Sequence, residues 1–160
     1  MTGILQSGNV TPGHSAQWTT DGVIQDGGVS PFNVIASYRS INFNVTTDQP
    51  IVIPAQIVAF RLSNIIITNA SVALNTAQGG FYPQAGKTGT PIVAASQGYS
   101  SLSSSNALLL ATLAAFGATT RFSANTLGSV AGQLAIWLSL STAQGVAATA
   151  DVYLVGDNLS

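Results

Sequence analysis

The chain has 160 residues, Lys plus Arg of 4, Asp plus Glu of 5 and a formal net charge of −1. The length suits one domain with a real core, but charged residues make up only 6%, against roughly 25% in ordinary soluble domains. Four scattered cations exclude the clustered basic patch that nucleic acid requires; the lack of cysteine excludes disulfides and thiolate sites; and the longest nearly apolar run, Ala107 to Ala118, is shorter than the roughly 20 residues of a membrane-spanning helix.

Residues 1–30 form an arm broken by Gly3, Gly8, Gly13, Gly22, Gly27 and Gly28. Its first residues, MTGILQSGNV, lack a basic region and a long apolar core, so no signal peptide is expected. Within the arm, Gln17 to Gln25 places Asp21-Gly22 between two short β-prone runs. That dipeptide predicts a hairpin with a two-residue type I′ turn, because both central residues must take φ > 0. A lone hairpin is marginal in water, so the arm is expected to dock on something, with a frayed terminus as the alternative.

From Phe32 the pattern turns to strands. Ile41 to Thr46 alternates apolar and polar residues with period two. Asp48-Gln49-Pro50 punctuates, and Ile51-Val52-Ile53 reads as a short strand stopped by Pro54. Ile57 to Leu62 is strand-like, and Ile65-Ile66-Ile67-Thr68 reads as a strand buried on both faces. Asn69-Ala70 is a turn into Val72–Leu74. Gln78 to Thr90 reads as a long loop carrying Phe81, Tyr82 and Lys87. Pro91 to Ala94 resumes a strand, Gln97 to Asn106 is a Ser-rich loop, and Ala107–Phe116 is read as a strand despite the helix preference of its Ala and Leu. Gln133–Ser141 is a strand with Leu134, Ile136, Leu138 and Leu140 on one face and Trp137 on the other. Ala150 to Gly156 is the last strand.

An internal repeat overlies this pattern. Arg61-Leu62-Ser63-Asn64 leads to Val72-Ala73-Leu74-Asn75-Thr76-Ala77-Gln78-Gly79, and Arg121-Phe122-Ser123-Ala124-Asn125 leads to Leu138-Ser139-Leu140-Ser141-Thr142-Ala143-Gln144-Gly145. Leu127 to Gly132 looks like an insertion in the second copy. Two copies suggest a pseudo-two-fold sandwich with the Thr-Ala-Gln-Gly turns at equivalent ends, where Gly takes φ > 0. Eight or nine strands and no clear helix predict an all-β fold: a jelly-roll-like antiparallel sandwich over residues 31–160, with the arm, 1–30, extended from it.

No chemistry stands out. His14 is the only histidine, and no nucleophile elbow accompanies it. Asp21, Asp26, Asp48, Asp151 and Asp157 are dispersed, where metal sites need clusters and glycosidases need a carboxylate pair. Gly79-Gly80 leads to no phosphate-binding lysine. No enzyme activity, cofactor or metal is expected. Arg39, Arg61 and Arg121 bind an acidic partner or, more simply, pair with an Asp or a backbone carbonyl at a sheet rim. Phe81, Tyr82 and Tyr99 are candidate interface anchors, with sugar stacking as the other reading. A chain so poor in charge has little protection against association, so it oligomerises or belongs to a larger assembly.

Two stretches carry a resemblance. Ser7 to His14 with Trp18 to Gly28 resembles the opening of small tailed-bacteriophage virion proteins, and residues 138–157 are similar to their C-terminal part. The resemblance implies a structural component of a phage particle, assembled in the host cytoplasm. It is either a capsid decoration or cement protein, or a short head or tail fibre that binds a receptor or carbohydrate. It implies a homotrimer whose further partner is the major capsid protein or another virion protein. It also implies that the arm is the attachment element, through Thr11, Pro12, His14, Trp18, Asp21, Gly22 and Ile24.

Overall fold

A computed structural model describes residues 34–160, together with the backbone of Leu5–Gln6, His14–Trp18, Val23–Val29 and Asn33. The chain divides into two compact units, Met1–Asn33 and Val34–Ser160.

In the first unit, β1 (Leu5–Gln6) runs parallel to β3 (Val23–Val29), and β2 (His14–Trp18) runs antiparallel to it. The predicted hairpin is therefore present as β2–β3. Its register pairs Trp18 with Ile24 and Gln17 with Gln25. That leaves an odd number of residues between Trp18 and Ile24, whereas a two-residue type I′ turn needs an even number. The turn itself lies outside the described residues.

The second unit is all-β: two antiparallel sheets packed face to face. The first sheet has the order β4 (Asn33–Asn42), β12 (Thr149–Asn158), β6 (Ala59–Thr68) and β8 (Leu108–Ala111), with β9 (Arg121–Ser123) pairing β6 beyond the end of β8. The second centres on β11 (Gln133–Thr142). It pairs β5 (Gln49–Val52) on one side, and β7 (Gln78–Tyr82) and β10 (Ser129–Val130) on the other. Phe81 bridges Val93, which in turn bridges Leu113. A short helix, α1 (Ala115–Thr119), joins the ends of β8 and β9.

The core lies between the sheets. Ile51, Phe81, Ile136, Leu138 and Leu140 face Phe60, Leu62, Ile65, Ile67, Val152 and Leu154, all at most 2% exposed. Alternating side chains from two sheets fill such a core.

Several elements differ from the sequence reading, each for a physical reason. The strand expected at Ile41–Thr46 is the end of β4, which starts at Asn33 and stops at Asn42. Ile41 and Phe43 are still buried. Pro50 lies inside β5, opposite Trp137; β5 is an edge strand, where a missing N–H is tolerated. The two strands read on either side of Ser63 are one strand, β6. Val155 pairs with Asn64 but Gly156 pairs with Leu62, so Ser63 is an extra, bulged residue. The bulge shifts the phase, so Phe60 and Leu62 point inward before it and Ile65 and Ile67 after it. Ile66 is half-buried, so β6 is not buried on both faces. Gln78–Tyr82 is a strand rather than loop, because Gly79 and Gly80 can lie flat against Ser139 and Leu140. Ala107–Phe116 splits into β8 and the start of α1. Leu127 to Gly132 supplies β10 and a tight turn at Ala131 and Gly132, with φ of 50° and 80°.

The repeated phrases are not at equivalent ends. They lie side by side, antiparallel. Gln78 pairs with Thr142 across β7 and β11. In the neighbouring loops Thr76 Oγ1 donates to the Gln144 carbonyl at 2.7 Å, and Gln144 Oε1 accepts from Thr76 and Ala77 N–H at 3.2 Å. Gly145 takes φ of +85°, but Gly79 sits in a strand, where a side chain would overlap Leu140.

Candidate interaction surface

The polar side chains of the described unit hold the fold. Asp48 accepts from Ser139 Oγ and from the Gly86 N–H. Lys87 Nζ donates to the Leu140 carbonyl at 3.1 Å. Together they fasten the 83–90 loop onto β11. Asp151, 6% exposed, accepts from Ser40 N–H at 2.8 Å and Asn69 Nδ2 at 3.1 Å. Ser40 and Asn69 have φ of 55° and 54°, so this carboxylate holds two left-handed residues next to strand ends. Asp151 and Asp157 both lie within β12. Six residues of strand place them about 20 Å apart, well beyond the carboxyl separations of glycosidases. Among the described residues no group of three or more His, Cys, Asp or Glu is arranged to hold a metal.

The three aromatics proposed as interface anchors are inside the unit, which corrects that reading. Phe81 and Tyr99 are 0% exposed and Tyr82 is 6% exposed. Tyr99 packs edge-on against Phe43 with ring centroids 4.9 Å apart, and its hydroxyl donates to the Gly79 carbonyl at 3.0 Å. Burial, with a smaller contribution from Tyr82, pushes the Tyr99 hydroxyl far above the usual tyrosine range. A side chain without exposed surface cannot anchor a partner or stack on a sugar.

The outer faces of the two sheets differ. On the β11 sheet, Ala135, Trp137 and Ser139 point away from the core yet are 0%, 6% and 1% exposed. Pro50 and Tyr82 flank Trp137 in register. Gly128 packs on the indole and donates its N–H to the Pro83 carbonyl at 2.9 Å. This face is covered by the chain's own loops.

The outer face of the β4–β12–β6–β8 sheet carries exposed apolar side chains instead. Leu108 and Leu110 are 57% and 53% exposed. Tyr153, Ile66 and Leu110 form one row across three strands. Edge strand β4 adds Val34 and Tyr38, 54% and 43% exposed. Farther along the sheet a charged row reads Asp157, Arg61, Arg121, successive Cα partners on β12, β6 and β9, all exposed. Arg121 thus faces another arginine rather than the aspartate or carbonyl expected for it. Arg39 is exposed on β4. A separate apolar recess of about 180 Å³ lies among Pro54, Ile57, Val58, Ala124 and Leu134.

Of the arm residues expected to attach the protein, Thr11, Pro12, Asp21 and Gly22 lie outside the described residues. His14, Trp18 and Ile24 are placed only as strand positions, opposite Val29, Ile24 and Trp18 respectively. Sequence reasoning missed Leu108 and Leu110 because an Ala/Leu run gives no period from which to assign a face.

No family model matches the chain, and comparison with curated proteins and with solved structures yields no match.

Proposed function

We propose that this chain is a non-enzymatic structural protein of a bacteriophage particle. It decorates or cements the capsid through its N-terminal unit, and it self-associates, as a trimer, through its β domain. The observation that carries the proposal is the contrast between the sheets: one outer face is covered by loops and the other is left apolar, in a chain with 6% charged residues. Contiguous exposed apolar surface marks an interaction site.

Strand order supports the same reading. Along the chain, β4, β5, β6 and β7 alternate between the two sheets; the chain then returns through β8 and β9 to the first, β11 to the second and β12 to the first. We read this wrapping as jelly-roll-like, an architecture used in viral capsids and in lectins. The fibre-tip, sugar-binding alternative loses its motive, because Tyr82 and Tyr99 are buried.

Two experiments test the proposal. Mass spectrometry of purified particles from the source strain should detect the chain at a copy number in fixed proportion to the major capsid protein; absence from particles overturns the virion assignment. Sedimentation at micromolar concentration should show a trimer, and Leu110→Glu should dissociate it. A wild-type monomer overturns the self-association.

A further inference from the structure

Arg61 and Arg121 are Cα partners across β6 and β9, and both are exposed. Side chains so placed have Cβ atoms about 4.5–5.5 Å apart, and like charges directly opposite are destabilising. The pair uses two of the chain's four basic residues. The core beneath it accounts for the register but not for the arginines. Phe60 stacks on Phe122 with centroids 5.4 Å apart, and Phe116 meets Phe122 edge-on at 5.8 Å. Those contacts fix where β9 pairs, and any polar residue would suit the outward positions.

Asp157 is the Cα partner of Arg61 on its other side and brings the net charge of the row to +1. The remaining described aspartates are engaged elsewhere: Asp48 holds Ser139 and Gly86, and Asp151 holds Ser40 and Asn69. The row therefore keeps one positive charge that no described aspartate neutralises.

We propose that Arg61 and Arg121 form a receptor for a single carboxylate, presented by an acidic side chain of a neighbouring protein chain in the assembly. Two adjacent guanidinium forks match the two oxygens of a carboxylate, each through paired N–H donors. With Asp157 opposite Arg61 on β12 the row keeps a net charge of +1, which one carboxylate neutralises. The position also fits. The row lies about 13 Å from the Tyr153–Ile66–Leu110 row, four residues of β12 at strand rise. A charged pair beside an apolar centre is the arrangement of a polar rim around an interface core. The source of the carboxylate rests on the assembly proposed above; the binding of a carboxylate does not.

The test is titration of the full-length chain with sodium acetate at constant ionic strength, followed through the arginine Nε–H NMR signals. Arg61 and Arg121 should shift together and saturably, while Arg39 should not. Removing one fork with Arg121→Gln should weaken acetate at the Arg61 signal by about tenfold. Shifts that are linear and shared by Arg39 would overturn the proposal. So would a uronic or sialic acid that binds about tenfold more tightly than acetate, a preference that marks a sugar site.

Sedimentation of Arg61→Gln/Arg121→Gln beside wild type then identifies the source. Weakened self-association assigns the carboxylate to a second copy, and unchanged self-association with acetate binding intact in wild type assigns it to a different protein. A wild-type chain that never self-associates but still binds acetate refutes the assembly reading and leaves the receptor standing.

Discussion

Tyr99→Phe removes one oxygen from the centre of the β domain and should act in opposite directions at neutral and at high pH. The hydroxyl donates to the Gly79 carbonyl at 3.0 Å in a fully buried setting. Its loss leaves a buried acceptor short of a partner, at a cost of about 1–3 kcal/mol. For a domain of this size each kcal/mol lowers Tm by about 3–4 °C, so a fall of about 3–12 °C is expected at pH 7. Burial raises the folded pKa of this hydroxyl far above that of the unfolded chain, which is near 10. Above that pH the unfolded state gives up a proton that the folded state keeps. Stability is therefore whole below about pH 10 and falls above it, by up to about 1.4 kcal/mol per pH unit. Tyr99→Phe lacks this penalty. The two stability curves, measured by urea unfolding from pH 7 to 12, should converge above pH 10 and cross about one to two units higher. Parallel curves up to pH 11.5 would show that water reaches the hydroxyl and that the burial argument fails.

The remaining predictions test the other supports. Gly156→Ala should destabilise the domain by about 1–3 kcal/mol, because a Cβ there would overlap the Arg61 carbonyl at the Ser63 bulge; thermal melting checks it, and a neutral result would mean that the bulge relaxes freely. Asp48→Ala should free the 83–90 loop, seen as faster amide exchange at Gly86 and a loss of about 1–3 kcal/mol, since both carboxylate oxygens are in use. Leu110→Glu should disperse the oligomer without lowering Tm by more than about 1 kcal/mol equivalent, because the side chain is 53% exposed. Deleting residues 1–30 should leave the domain folded, because the core begins at Ile35, and should abolish incorporation into particles; full occupancy of the truncated protein would refute the attachment role.

Much of the fold was legible, and the failures share a cause. Period-two alternation located β11 and the core face at Leu134, Ile136, Leu138 and Leu140, because alternation reports a sheet face directly. It failed at Leu62-Ser63-Asn64-Ile65, where one bulged residue shifts the phase and makes one strand look like two. It failed again at Gln78–Tyr82, where two glycines suggested a loop. Those glycines instead allow close packing: a Cβ on Gly79 would overlap Leu140, and one on Gly80 would overlap Val93. The interface anchors failed for a related reason. The sequence reading sets Phe81, Tyr82 and Tyr99 in loops, whereas Phe81 and Tyr82 lie in β7 and all three are buried. No single-sequence signal separated Leu108 and Leu110 from core leucines, since exposure depends on what lies across the sheet.

The repeat shows how a correct observation can carry the wrong geometry. Identical phrases suggested two equivalent ends of a pseudo-symmetric sandwich. The phrases instead pair with each other, Gln78 with Thr142 on one side and Thr76 with Gln144 on the other. Because the two copies are offset by 66 residues, exchanging them turns the first pair into the second. A local two-fold therefore passes between β7 and β11. The two pairs are held differently: Thr76 and Gln144 bond through their side chains, whereas Gln78 and Thr142 are strand partners and the Gln78 amide donates to the Ser96 carbonyl. The symmetry ends with the phrase. Gly79 continues a strand against Leu140, and Gly145 turns at φ of +85°. The two arginines that head the repeat meet on the other sheet, as partners of β6 and β9. The repeat thus brings its copies together twice, once through hydrogen bonds that close one end of the β11 sheet and once through a pair of like charges. The first contact is satisfied within the chain. The second is left for a partner's carboxylate.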